Sequence, residues 1–122
     1  MTESDLIERT KQFALRVIKL VGELPRTIEG RAIASQLMRS GTSVAANYRA
    51  ACRAASKPEF IAKLGTVEEE ADESAFWLEL IIDSGLLTDE RIRPLLSEAG
   101  ELVAIMAASR KSAIGNRKSA IQ

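Results

Sequence analysis

Residues 56–85 read SKPEFIAKLGTVEEEADESAFWLELIIDSG and contain the start, the apolar face and the end of one long helix. Ser56 is followed three residues later by Glu59, with Pro58 inside the first turn, which is the pattern of a capping box. At the other end, Gly85 takes the place of a left-handed residue that ends a helix. We therefore predict a helix over 57–84. Its predicted core face is formed by Phe60, Leu64, Val67, Ala71, Ala75, Leu78 and Ile82.

Two segments before this stretch show the same helical periodicity. Residues 4–24 carry an apolar stripe that ends at Leu24-Pro25, because the residue before a proline is disfavoured in a helix. Residues 28–54 carry a second stripe, which keeps its phase across the small residues 40–43. We predict a continuous helix there, on which the small residues let a neighbouring backbone approach closely.

The C-terminal part of the chain predicts a fourth helix and a basic tail. Thr88 can cap a helix over 89–113, and Pro94 lies deep enough in it to set residues 89–92 apart as a separate turn. The pentad RKSAI at 110–114 recurs at 117–121, inside the predicted tail, 114–122, at a spacing of seven residues. The repeat predicts either a solvated terminus, the simpler interpretation, or an arm that contacts phosphates.

The composition excludes several classes of protein. The chain has 122 residues, 46% of them hydrophobic, which suits a single globular core. No segment alternates with period two, so we predict an all-α, up-down-up-down four-helix bundle. The absence of histidine excludes His-dependent catalysis, and one cysteine excludes a disulfide framework and a Cys/His zinc site. Cys52 lies on an apolar stripe and is interpreted as an inert core thiol.

No signal sequence or membrane span is recognisable. The first residues are acidic and polar, and no apolar run approaches the length that a bilayer requires. The sequence therefore predicts a cytoplasmic protein that has no contact with membranes and no cofactor.

The neutral formal charge of the chain conceals an uneven distribution. Residues 1–55 hold nine Lys/Arg and five Asp/Glu, a net charge of +4, whereas residues 56–107 hold four and twelve, a net charge of −8. Residues 108–122 hold four basic and no acidic residues, a net charge of +4. Such a distribution suggests self-association at least as readily as binding to nucleic acid.

The acidic run of the third helix suggests one catalytic alternative. Glu69 and Asp72, together with Glu98 and Glu101 of the next helix, resemble the paired acidic motifs of all-helical Mg²⁺-dependent nucleotide pyrophosphohydrolases. A helical wheel, however, turns Glu69 and Asp72 away from the core, and no general base or phosphate-binding loop accompanies them. A metal-dependent hydrolase is therefore the least favoured hypothesis.

The same wheel predicts an oligomer interface on the outer face of the third helix. Phe76, Trp77 and Leu80 lie on that side together with Glu69 and Glu73. Three large apolar side chains would leave an unusual exposed patch on a monomer, so we interpret them as interface anchors.

Arg39 belongs to the same predicted interface. The second and third helices run antiparallel, which places Arg39 level with Glu73, so the two can pair within a subunit or between neighbouring subunits. We also predict that Arg49 engages the acidic run.

These features together resemble the four-helix-bundle proteins of the 23S ribosomal RNA intervening-sequence family. The resemblance covers roughly residues 5–110. It is carried by QLMRSGTSVAAN over 36–47, FIAKL over 60–64 and EEADE over 69–73. Its most specific part is Arg39-Ser40-Gly41-x-Ser43 with Asn47, followed by the acidic third helix that leads into Trp77-Leu78.

The resemblance implies a bundle that assembles as a homopentamer, in a family without an established enzymatic activity. A related group, the accessory variability proteins of diversity-generating retroelements, forms basic pentameric barrels that bind a reverse transcriptase and nucleic acid. The resemblance thus makes RNA or a nucleic-acid-processing protein the first candidate partner.

Three functional hypotheses follow. The first is a non-enzymatic oligomeric scaffold that binds RNA or a nucleic-acid enzyme through basic residues of the first two helices and the tail. The second is a purely protein-binding module, and the third is the Mg²⁺-dependent hydrolase. The basic residues that we expect to contact nucleic acid are Arg9, Arg16, Lys19, Lys111, Arg117 and Lys118.

Overall fold

The computed structural model describes residues 1–121 of the chain, with the side chains of residues 1–115. It contains four α-helices: α1 (Glu3–Val21), α2 (Ile28–Cys52), α3 (Lys57–Asp83) and α4 (Asp89–Ile121). Helices that follow each other in the sequence pack side by side, α1 also contacts α4, and α1 and α3 lie diagonally opposite. The described residues contain no strand, so the predicted all-α class and the four helices are confirmed.

Local side-chain hydrogen bonds explain where the helices begin. Thr2 and Asp5 form a complete capping box, and the hydroxyl groups of Thr27 and Thr88 accept backbone N–H bonds in the first turns of α2 and α4. Ser56 caps α3 by accepting the N–H of Glu59. The carboxylate of Glu59 accepts the N–H of Ala55, so the reciprocal half of the predicted capping box reaches one residue further back.

The ends of the helices also differ slightly from the predicted ones. α1 ends at Val21, three residues before the predicted end, and Gly22 forms its C-cap. Gly85, with a φ of 73°, follows α3 in the left-handed conformation that its position in the sequence predicted.

α4 is one continuous helix from Asp89, so the predicted separate turn over 89–92 is wrong. Ile92 and Leu95 flank Pro94 and are both buried in the core. The burial of these two side chains keeps the helix in phase and offsets the hydrogen bond that Pro94 cannot donate. α4 also continues through Gly115 to Ile121, past the expected helix end at residue 113.

The core is a continuous apolar cluster to which all four helices contribute. Gly41 lies in the middle of α2, where it is buried directly against Val17 of α1, so the predicted close approach of two helices occurs at this point. The larger fully buried side chains are Phe13, Val17, Leu20, Leu37, Val44, Leu64, Val67, Leu78, Ile81, Ile92, Leu102 and Met106.

A small polar contact inside this core joins α2 to α3. The Ser74 hydroxyl donates to the Ser40 hydroxyl at 2.9 Å, and both residues are fully buried. Ser74 and Ile81 are buried more deeply than Ala75 and Ile82, the neighbours that the sequence assigned to the core.

Candidate interaction surfaces

Phe76 is the most exposed of the three predicted interface anchors on α3. Half of its surface (50%) is accessible, and its ring meets the ring of Trp77 edge to face, with the centroids 5.1 Å apart. Trp77 and Leu80 are half-buried, and Trp77 packs against the core. The structure thus separates the predicted trio into one outward-facing ring and two side chains that partly cover the bundle.

Arg39 pairs with the acidic run within one chain. Its guanidinium donates to Glu70 at 3.1 Å and to Glu73. The indole N–H of Trp77 donates to the same Glu73 carboxylate at 3.0 Å. These bonds, with that of Trp77 contributing most, hold the pKa of Glu73 below its usual value. Glu69, also predicted for the interface, is exposed on the outer face of α3.

Arg9, which the sequence placed among the nucleic-acid contacts, joins α1 to α4. Its guanidinium donates two hydrogen bonds of 2.7 Å to the carboxylate of Glu98 and lies 3.4 Å from Glu101. This bidentate pair is largely shielded from solvent, with side-chain exposures of 26% for Arg9 and 13% for Glu98. The hydrogen bonds from Arg9 lower the pKa of Glu98, so the carboxylate stays ionised.

The acidic pairs that suggested a metal-dependent hydrolase do not come together. Glu69 and Asp72 face solvent on α3, whereas Glu98 is held by Arg9 at the α1–α4 seam. Among the residues that the structure describes, no group of three carboxylate or cysteine side chains could hold a metal ion. In the same part of the chain, no helix is both long and apolar enough to cross a membrane.

The other predicted nucleic-acid contacts whose side chains the structure describes lie at two separate ends of the bundle. Arg16 and Lys19 are exposed on α1, and Lys111 is exposed on α4. Because α1 and α4 are antiparallel and Arg9 is level with Glu101, Lys19 and Lys111 lie about 30 Å apart along the axis at a rise of about 1.5 Å per residue. The side chains of Arg117 and Lys118 are outside the described residues.

A groove between α1 and α2 is a feature that the sequence did not predict. Its volume is about 780 Å³. Ile7 lines it and is 38% exposed, and Ile18, on the same face of α1, is 45% exposed. The helical wheel assigns both isoleucines to the edge of the core stripe. Their high exposure cannot be read from the sequence, and it shows that this side of α1 forms an exposed apolar surface.

Cys52 lines this groove and is half-buried, so it lies at the edge of the core and not inside it. Burial raises the pKa of its thiol and also raises that of the neighbouring Tyr48 hydroxyl. Both groups therefore stay protonated near neutral pH, in agreement with the inert thiol expected from the sequence.

Comparisons with known proteins place the chain in a family. A search of curated proteins finds no match. Among solved structures, the chain resembles the crystal structure of a protein with unknown function from the S23 ribosomal protein family of Bacteroides thetaiotaomicron VPI-5482. The TM-score is 0.82 at 31% identity, over 87% of this chain and 98% of the other. The profile of one family matches residues 2–108. The chain therefore belongs to the 23S rRNA-intervening sequence protein family.

Proposed function

We propose that this chain is a non-catalytic helical scaffold that assembles with copies of itself and binds RNA or a nucleic-acid-processing partner. The observation that carries the proposal is the exposed Phe76 ring on an otherwise acidic helix face, opposite a second exposed apolar surface on α1. A monomer gains nothing from exposing both surfaces, whereas an assembly can bury them. The resemblance of the sequence implies five copies.

Binding to RNA is the more specific half of this proposal. It is supported by the exposed cations Arg16 and Lys19 at one end of the bundle and Lys111 at the other, and by the name of the family. Because these two basic ends are far apart within one chain, an assembly would offer phosphates several separate basic sites. Contacts of this kind bind many sequences and weaken with salt.

Self-association is tested by measuring the mass of the native chain by light scattering. We expect a defined multiple of 13.3 kDa, and a mass of 13.3 kDa at all concentrations would refute the scaffold.

RNA binding is tested by titrating a labelled RNA hairpin at two salt concentrations. The variant Arg16→Glu/Lys19→Glu should bind more weakly and reduce the slope of log K against log salt by about 2. Lys57→Glu/Lys63→Glu makes the same change in net charge on α3, diagonally opposite α1, and serves as the control. If the native chain does not bind RNA at low salt, the purely protein-binding alternative is favoured.

A further inference from the structure

We propose that the α1–α2 groove of one chain receives the Phe76 face of α3 from a second copy, so that copies join head to tail. This inference rests on the proposed self-association and names its two complementary surfaces. We define the Phe76 face as Phe76 with its exposed acidic neighbours on α3, and the groove as the surface between α1 and α2 that Ile7 and Cys52 line.

The Phe76 face is an aromatic ring in the middle of exposed carboxylates. Asp72 and Glu79 lie four residues before and three residues after Phe76, and Glu69 and Asp83 lie seven residues to either side. Residues at these spacings share one face of a helix, and all four acids are on the outer side of α3. The ring lies edge to face beside Trp77, which packs against the core.

The groove combines an apolar lining for the Phe76 ring with basic side chains that can pair with the surrounding carboxylates. Ile7, Ala45 and Ala46 provide an apolar lining, and Lys11 and Arg49 are exposed at its edges. Arg53 also lines it, and the α1 side contributes Glu3 and Glu8, so its cations outnumber its acids by three to two. At about 780 Å³, it falls in the range of roughly 300–1,000 Å³ that accommodates a ligand-sized group, enough for an aromatic side chain.

The acidic charge of the Phe76 face favours contact with the groove over contact with a second Phe76 face. Two Phe76 faces placed together would bring four carboxylates against four more, and like charges across an interface are strongly unfavourable. The groove lies in the half of the chain that carries a net charge of +4 and is therefore the complementary surface. Since α1 and α3 are diagonal in the bundle, the two surfaces of one chain lie apart, and pairing the Phe76 face of one copy with the groove of the next gives a heterologous, head-to-tail contact.

Paired charge reversals test this arrangement. Asp72→Lys/Glu79→Lys makes the Phe76 face basic, and Lys11→Glu/Arg49→Glu makes the groove acidic. All four residues are exposed, so the fold should be retained. We expect each double variant to raise the dissociation constant of the assembly about tenfold or more. The combined variant, in which the two surfaces are complementary again, should assemble within about threefold of the native chain.

Lys57→Glu/Lys63→Glu, whose two residues belong to neither surface, is the matched control and should leave the dissociation constant unchanged. Failure of the combined variant to recover assembly would overturn the proposed docking. A native chain that is monomeric at every concentration would overturn the self-association as well, so the two failures can be distinguished.

Cross-linking provides an independent test in a Cys52→Ala background, because Ala46 lines the groove and is exposed. Ala46→Cys places a reactive thiol in the groove, and Glu79→Cys places one beside Phe76. With a short thiol-specific cross-linker, head-to-tail contacts should give a ladder of trimers and larger species, and omitting Ala46→Cys should abolish every species above a dimer. A contact between two Phe76 faces would stop at dimers with or without Ala46→Cys, which would overturn the proposal.

Discussion

Replacing Gly41 with alanine tests how closely α1 and α2 have to approach. A Cβ atom at this position would lie 2.8 Å from both Cγ atoms of Val17 and 3.0 Å from its Cβ. Non-bonded carbon atoms pack best at about 3.5–4.0 Å, so relief of the contact requires a movement of about 1 Å. Val17 is fully buried and β-branched, which leaves its side chain little freedom to turn away, and therefore α1 itself has to shift.

The expected cost follows from two opposing terms. Overpacking a core typically costs about 1–3 kcal/mol, whereas alanine is favoured over glycine inside a helix by about 1 kcal/mol. The net result for Gly41→Ala is a loss of about 1 kcal/mol. Gly100→Ala is the matched control, because Gly100 is also helical but is exposed, and a Cβ atom added there would meet no atom within 4 Å. This control should stabilise the protein by up to about 1 kcal/mol.

The two variants are compared by urea denaturation followed by circular dichroism at one fixed protein concentration, because the proposed self-association would make the midpoint depend on concentration. The helix-propensity term is common to both variants, so the difference between their free energies of unfolding isolates the contact with Val17. We expect Gly41→Ala to be less stable than Gly100→Ala by about 1–3 kcal/mol. Equal stabilisation by both substitutions would refute the reasoning.

Three further predictions concern helix contacts. Gly30→Ala should destabilise more than Gly41→Ala in the same urea assay, because the new Cβ would collide with the backbone oxygen of Pro25, which cannot rotate away. Arg9→Leu should lower the free energy of unfolding at neutral pH by about 1–3 kcal/mol in thermal melts, because Glu98 loses two charge-assisted bonds. Because the pKa of Glu98 is lowered in the folded chain, this stabilisation is complete above about pH 4.3 and is lost as the pH falls through the lowered pKa. The melting temperatures of the native chain and of Arg9→Leu should therefore converge in acid. A difference in melting temperature that stays constant with pH would contradict the role of the Arg9–Glu98 pair.

Much of the fold was predictable because its signals are local. Ser56, Pro58 and Gly85 mark the ends of α3 through contacts within a few residues of each other. The separate turn predicted from Pro94 was wrong. The hydrogen bond that a proline costs a helix is a local effect, whereas the burial of Ile92 and Leu95 depends on the rest of the bundle.

The candidate surfaces were only partly predictable. The wheel identified Phe76 as an outward residue, since it lies opposite the apolar stripe of its own helix. It could not show that Trp77 leans back onto the core and bonds Glu73, because residues at the flank of a helix become buried or exposed according to the neighbouring helix. For the same reason, the groove beside Ile7 had no signal in the sequence.

Periodicity and capping residues predicted the four helices and most of their core faces, because these depend on spacing along one chain segment. Only the packed bundle brings Arg9 to Glu98, 89 residues away, and Ser74 to Ser40 inside the core. Such contacts depend on how two helices are aligned and rotated against each other. Periodicity within one helix carries no information on that alignment, and only packing of the whole bundle fixes it.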